Sequence, residues 1–247
     1  MTYFRRLCGT TLLTMVLLSA NALCWAGHVF NHLEDASGWL SCGASCAGGE
    51  TNGVFWMAQN QTSPSLDGSS MEMYSSSIGE YSNSLFYLRF NQGNKYDYAQ
   101  NFIWDFYVNM DSASVQSGEA LEFDQFQFVN SWSYMMGTEC SYGSGKWDVW
   151  DNYKLAWVHT NIPCAKFTPN TWHHIQLHAT ANHAAHEYTF QSIVIDGHAY
   201  HPQMTFKAKY MPDWVGGENL GVQHQLDVKP QSAGYHVWID KSTFTIW

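Results

Sequence analysis

The chain is poor in charge and poorest in positive charge. Of 247 residues 13% are Asp, Glu, Lys or Arg, and 11 basic residues stand against 21 acidic ones, for a net charge of −10. No cluster of Lys or Arg occurs, which argues against nucleic acid or an anionic lipid surface as partner, because both are held by grouped cations. The same shortage argues against polyanionic glycans such as alginate or pectate, unless calcium bridges the charges. Outside the first two dozen residues there is no apolar run long enough to span a bilayer. Amphipathic helical stripes of useful length, fixed-period repeats, glycine-rich phosphate loops and serine-triad or Cys-His motifs are also missing.

The N-terminus reads as a secretory leader over residues 1–26. Arg5 and Arg6 supply the positive start, and Thr11 to Leu18 is an apolar run too short to cross a membrane. Ala22-Leu23-Cys24-Trp25-Ala26 offers a small residue at the cleavage point. A lipid-modified Cys24, or cleavage after Gly27 to expose His28 as a copper-binding first residue, are weaker fits to the flanking residues. The expectation is one secreted, periplasmic or extracellular domain over residues 27–247, monomeric and free of the membrane after cleavage.

Four cysteines remain in that domain: Cys42, Cys46, Cys140 and Cys164. An even number in an exported chain implies disulfides. Cys42–Cys46 and Cys140–Cys164 are the favoured pairs of the three possible sets; a zinc site is the alternative. Among twelve histidines, His173, His174, His178, His183 and His186 crowd together, but His183 and His186 sit in a connection between strands and need helical spacing to share an ion.

Aromatic residues are abundant at 16%. Short runs rich in aromatic and β-branched residues recur along the chain, separated by turn signals. They include 71–74, 85–90, 102–110, 119–129, 132–137, 172–178, 188–195 and 235–247, and Asp196-Gly197 is a hairpin signal. The fold class is all-β, an antiparallel sandwich. Residues 138–164 read as a long loop and 111–114 as a turn that joins neighbouring strands.

The run around Leu121 carries the chemistry. Side chains alternate between faces of a strand, so Leu121, Phe123, Gln125 and Gln127 share one face and Glu122, Asp124, Phe126 and Phe128 the other. Two acids beside an aromatic are costly to bury without use, which suggests an acidic floor for a ligand groove. Sugars present apolar faces to aromatic rings and hydroxyl edges to amides and acids. Trp147 and Trp150, in a polar, Gly-flanked segment, are candidate sugar platforms. Gln127, Gln223, Gln225 and Tyr107 are candidate hydroxyl partners. Gln223 and Gln225 alternate with Val222 and His224, so only one of those pairs faces a groove.

These signatures in this order resemble the concanavalin A-like jelly rolls, and within them the family-16 glycoside hydrolases. Those enzymes carry Glu-x-Asp-x-x-Glu on a strand of the concave sheet, matched here by Glu122-Phe123-Asp124-Gln125-Phe126-Gln127. Trp172-His173-His174, Ile195-Asp196-Gly197 and the last strand from Ile239 to Trp247 match further family signatures, over the second half of the chain. The resemblance implies Glu122 as nucleophile and Asp124 as its tuning neighbour. The acid/base position falls on Gln127 or Phe126, neither of which donates a proton to a leaving oxygen. A retaining glycosidase needs two carboxyl groups about 5–5.5 Å apart. Glu139 and His224 are the candidates to supply the missing proton. The expectation is therefore a polysaccharide- or oligosaccharide-binding jelly roll, with a hydrolase or lyase of altered constellation around Glu122 and Asp124 as the alternative. The family also places an aspartate of its last strand at a structural ion on the convex side; Asp240 matches it, and Glu34 and Asp35 are the expected further calcium ligands.

Overall fold

The computed structural model describes residues 27–49, 53–90, 95–213, 217, 219–232 and 234–247. Residues 1–26, expected to be a leader, and Cys24 among them, lie outside the described residues. In chain order the strands are β1 (His28–Phe30), β2 (Leu40–Cys42), β3 (Phe55–Gln61), β4 (Ser70–Ser75), β5 (Ser82–Arg89) and β6 (Asn101–Met110). Then follow β7 (Gly118–Val129), β8 (Trp132–Ser141), β9 (Lys146–Asp151), β10 (Ala156–Pro163), β11 (His173–Asn182) and β12 (Glu187–Ile195). The last are β13 (His198–Tyr200), β14 (Met204–Lys207), β15 (Lys209–Tyr210), β16 (Asn219–Val228) and β17 (Tyr235–Ile246). Among the described residues helix is confined to a 3-10 turn at Leu33–Asp35 and to α1 (Ala44–Ala47) and α2 (Ser112–Ser117).

Two antiparallel sheets pack face to face. One runs β13-β12-β11-β6-β17-β4-β3, with β1 added to β17 and β14 to β12; the other runs β10-β9-β8-β7-β16-β5-β2, with β15 added to β8. The all-β sandwich expected from the strand pattern is what forms. Between the sheets lies an aromatic core. Trp104 and Phe106 of β6 face Phe123 of β7, with Phe106 and Phe123 5.0 Å apart, and all three are fully buried. Burying a side chain of this size contributes on the order of 1.5–3 kcal/mol.

This arrangement corrects one reading. β6 and β7 are not paired neighbours but belong to opposite sheets. The segment after Met110 is not a simple turn. Asp111 caps α2, its carboxylate accepting from the Ser114 N–H at 2.7 Å, and that helix carries the chain from one sheet to the other.

Residues 138–164 are not a loop either. They hold the end of β8 and the hairpin β9–β10. The Asp196-Gly197 turn forms as read, with both residues at positive φ, 48° and 79°. Both favoured disulfides form, Cys42–Cys46 and Cys140–Cys164.

Candidate functional site

A groove of about 950 Å³ runs over the outer face of the β10–β2 sheet. Antiparallel register places its side chains in rows across the strands. One row joins Asp148 of β9, Glu139 of β8, Glu122 of β7 and Gln225 of β16. The next joins Gly137, Asp124, Gln223 and Tyr87. Asp227 lies two residues beyond Gln225, on the same face of β16.

Glu122 and Asp124 face the groove together with Phe126 and Phe128, as period two requires. Each acid is held by one glutamine of β16. Gln225 Nε2 donates to Glu122 and, at 3.0 Å, to Asp227. Gln223 Nε2 donates to Asp124 at 2.7 Å, and the Thr138 N–H donates to the other oxygen at 3.0 Å. Gly137 makes room beside Asp124. A Cβ there would lie 3.0 Å from both the Asp124 carboxylate and Trp150, so its absence lets the aromatic wall approach the acid.

The four acids Glu122, Asp124, Glu139 and Asp227 are each less than 8% exposed. Among the described residues none of them pairs with a Lys or Arg. Burial raises every one of their pKa values. Desolvation, reinforced by Asp227 and Asp124, pushes Glu122 well above the usual carboxylate range. Desolvation, then Asp227 and Asp148, pushes Glu139 up to about 9. Asp124 rises to about 7 against the opposing bonds from Gln223 and Thr138. Asp227 rises to about 6, restrained by hydrogen bonds with Glu122 and Gln225. Buried, mutually repelling carboxyls of this kind concentrate at functional sites.

Trp150 and Trp157 form a wall of the groove, 5.1 Å apart and steeply inclined to each other. They face each other across the β9–β10 hairpin. At the far end the buried Asn219 lines the groove, with neither amide atom bonded to any of the described residues. The basic residues Arg89 and Lys209 also lie toward that end: Arg89 is opposite Gly221, and Lys209 is opposite Ser133.

Four expected site residues lie elsewhere. His224 alternates with the two glutamines, so once these face the groove it must face the core. There it is fully buried among Trp39, Trp104, Phe106 and Phe123, at ring distances of 4.6–5.9 Å. Neither ring nitrogen has a partner among the described residues, and desolvation lowers its pKa to about 3. Such a group neither meets a ligand nor carries a proton near neutral pH. Trp147 is three residues from Trp150, and on a strand that odd spacing splits them; Trp147 is buried beneath Phe123, ring centroids 6.0 Å apart. Gln127 shares the inward face of Leu121. It donates to the carbonyls of Tyr96 and Ala99, both at 3.2 Å, and bonds His183 at 2.8 Å. Tyr107 is on β6, hence on the opposite sheet, where it stacks on His174.

The residues missed by sequence reasoning are Asp227, Trp157 and Asn219. Period two from Gln223 and Gln225 extends to both Asp227 and Asn219. Trp157 requires the hairpin register, which the loop reading conceals.

The second acidic grouping is on the other sheet. Oxygens of Glu34, Asp67 and Asp240 lie within 4.8 Å of one another. Asp240 accepts from Ser65 Oγ, Leu66 N–H and Lys241 N–H, and Glu34 accepts from Ser242 N–H at 2.8 Å. Asp35 is outside this trio, bonded to Ser69 and grouped instead with His32 and Glu34.

No family model matches the chain, and no curated protein does. Solved structures do. An alginate lyase from Chlorella virus aligns over 77% of this chain and 91% of its own, at 9% identity and a TM-score of 0.47. A family 11 carbohydrate-binding module from Clostridium thermocellum aligns over 88% and 94%, at 11% identity and 0.37. Arcelin-5, a lectin-like defense protein from Phaseolus vulgaris, aligns over 85% and 98%, at 10% identity and 0.41.

Proposed function

We propose that the groove binds a carbohydrate chain. The observation that carries this reading is the joining of an acid-and-amide floor to a tryptophan wall in one open depression, with Glu122 and Asp124 beneath and Trp150 beside them. The volume suits several sugar rings. Trp150 offers a face for a ring, while Gln223, Gln225 and Asn219 offer donors and acceptors for its hydroxyls. Trp150→Ala is expected to weaken binding to a cognate glycan by about 10- to 100-fold, on the order of 1.4–2.7 kcal/mol. Affinity electrophoresis in gels carrying candidate polysaccharides checks this. Retention by no glycan, or equal retention of the variant, would remove the carbohydrate reading. The two disulfides fit an oxidising, extracellular or periplasmic setting for this binding.

A hydrolytic reading is favoured by one specific juxtaposition. Glu139 stands directly opposite Glu122 on the neighbouring strand, and its oxygen falls within 4.8 Å of one on Glu122. That places the two carboxyls somewhat nearer than the separation of about 5–5.5 Å in a retaining pair, and far nearer than an inverting pair. Burial keeps Glu139 protonated at neutral pH, as a proton donor to a leaving oxygen must be. In this reading Glu122 attacks the anomeric carbon and Glu139 fills the role that Phe126 and Gln127 do not. Glu122 must first lose its own proton, which its buried, acidic surroundings disfavour.

We also propose calcium at Glu34, Asp67 and Asp240. The donor set fits: three hard carboxylates, two of them fully buried, with no Lys or Arg pairing either buried acid among the described residues. The ion would tie the 3-10 turn and the β3–β4 connection to β17. A hundredfold excess of calcium over its dissociation constant stabilises by about 2.7 kcal/mol, so Tm is expected to rise by roughly 5–10 °C. Asp67→Asn, at an exposed ligand, is expected to abolish that response. An unchanged Tm in calcium and in chelator would discard the site.

A further inference from the structure

The groove is electrically lopsided. Its acids occupy one end, in three successive rows marked by Asp227, by Glu122 with Glu139, and by Asp124. Its cations lie beyond them, Arg89 level with Gly221 and Lys209 further along, opposite Ser133. The hydroxyls of a neutral sugar chain bond to carboxyls but bring no positive charge to four of them that lack a Lys or Arg partner among the described residues, and burying them uncompensated is costly.

Oxygens of Glu122, Glu139 and Asp227 all lie within 4.8 Å of one another. An ammonium group has three N–H donors. At charge-assisted distances of about 2.8 Å and tetrahedral angles, its three acceptors stand about 4.6 Å apart. Three acceptors within 4.8 Å of one another are close enough together for one ammonium to reach them all. A bare metal ion would leave the tryptophan wall and most of the 950 Å³ groove unused. Asn219 is a second, independent pointer to an extended polar ligand. It is 4% exposed, has no partner among the described residues for either amide atom, and lines the same groove at its other end.

We propose that the acidic end of the groove receives the protonated amine of an amino sugar, so that the ligand is a chain rich in free glucosamine-type units. This inference rests on the carbohydrate reading and narrows it to one chemical class. The sugar face lies against Trp150, and the ammonium sits between Glu122, Glu139 and Asp227. An N-acetylated unit puts a bulkier neutral acetamide there, and a glucose unit a hydroxyl with a single donor. Neither brings the positive charge that would displace the protons burial otherwise holds on Glu122 and Glu139.

Calorimetric titration of the purified protein with three β-1,4-linked hexamers, of glucosamine, N-acetylglucosamine and glucose, tests the assignment. At about pH 6 the glucosamine hexamer is expected to bind at least about tenfold tighter than either neutral one. Raising salt from about 20 to about 200 mM should weaken it several-fold, because the attraction is screened. Glu139→Gln and Asp227→Asn should each shrink the preference ratio. Equal or tighter binding of a neutral hexamer would overturn the amino-sugar class while leaving the groove a carbohydrate site. A preference that persists through both variants and through salt would overturn the role of the cluster. Binding of none of the three, together with no retention on any polysaccharide, would overturn both readings.

Discussion

His224→Met is expected to make the protein markedly more resistant to acid. In the folded chain His224 sits in an aromatic box with no hydrogen-bond partner and a pKa lowered to about 3, through desolvation alone. In the unfolded chain it titrates near 6.5. The folded state thus binds fewer protons at this site. Its contribution is fully present above pH 6.5 and is lost as pH falls from there through about 3. A tenfold difference in proton affinity between the two states corresponds to about 1.4 kcal/mol, so the penalty is about 3 kcal/mol near pH 4 and roughly 4–5 kcal/mol once both forms have titrated. Met is close in volume and packs well against rings. Urea unfolding of both proteins at about pH 7 and about pH 4 gives the result directly. Repacking changes both pH values alike and cancels, so the difference between the two pH values belongs to the histidine. Parallel loss of stability in wild type and variant would show that His224 is not the buried base described.

The second large effect runs in the opposite pH direction. Glu139 is raised to about 9, first by desolvation and then by Asp227 and Asp148. Its folded form binds more protons than its unfolded form. The stability it confers is present below about 4.5 and is lost as pH rises through about 9. Glu139→Gln removes that dependence and is expected to stabilise the protein by about 2–4 kcal/mol near pH 8, with little gain near pH 4. The same variant separates the two functional readings. If the groove hydrolyses its ligand, release of reducing ends by the wild type should fall by about 10²–10⁴ when the proton donor becomes an amide. If the groove only binds, no such release occurs in either protein. A variant no more stable than wild type at pH 8 would mean that the carboxyl cluster is not strained as described. The acids of the groove would then not represent stability given up for function.

Most of the sandwich is legible because its signal is short-range. Aromatic alternation marks the strands, Asp196-Gly197 marks a hairpin, and the cysteine spacing favours the pairs that form. The groove floor is legible for the same reason: the parity of Glu122, Asp124, Phe126 and Phe128 is a property of one strand. What fails is long-range or depends on recognising a strand. Tyr107 is misplaced because nothing local says that α2 moves the chain to the opposite sheet. Trp147 is paired with Trp150 because a polar, Gly-flanked segment reads as a loop, where parity has no meaning. His224 reads as a groove residue beside Gln223 and Gln225, although alternation excludes one side or the other. Gln127 comes from a motif position when its parity already points inward. Asp67 has no local signal at all, since it meets Asp240 from a connection more than 170 residues away in the chain.

The groove is built in two ways. Its base is woven, each strand laced to neighbours on both sides. Its tryptophan-bearing flank is the β9–β10 hairpin at the margin of the sheet, where among the described residues β10 has a partner on one side only. The sulfur bridge from Cys140 to Cys164 rivets the root of that flap to β8, just beyond the residue that carries Glu139. A reducing environment would undo the rivet and leave the weave in place. If the groove holds a glycan as proposed, its grip would then loosen before the body of the molecule came apart.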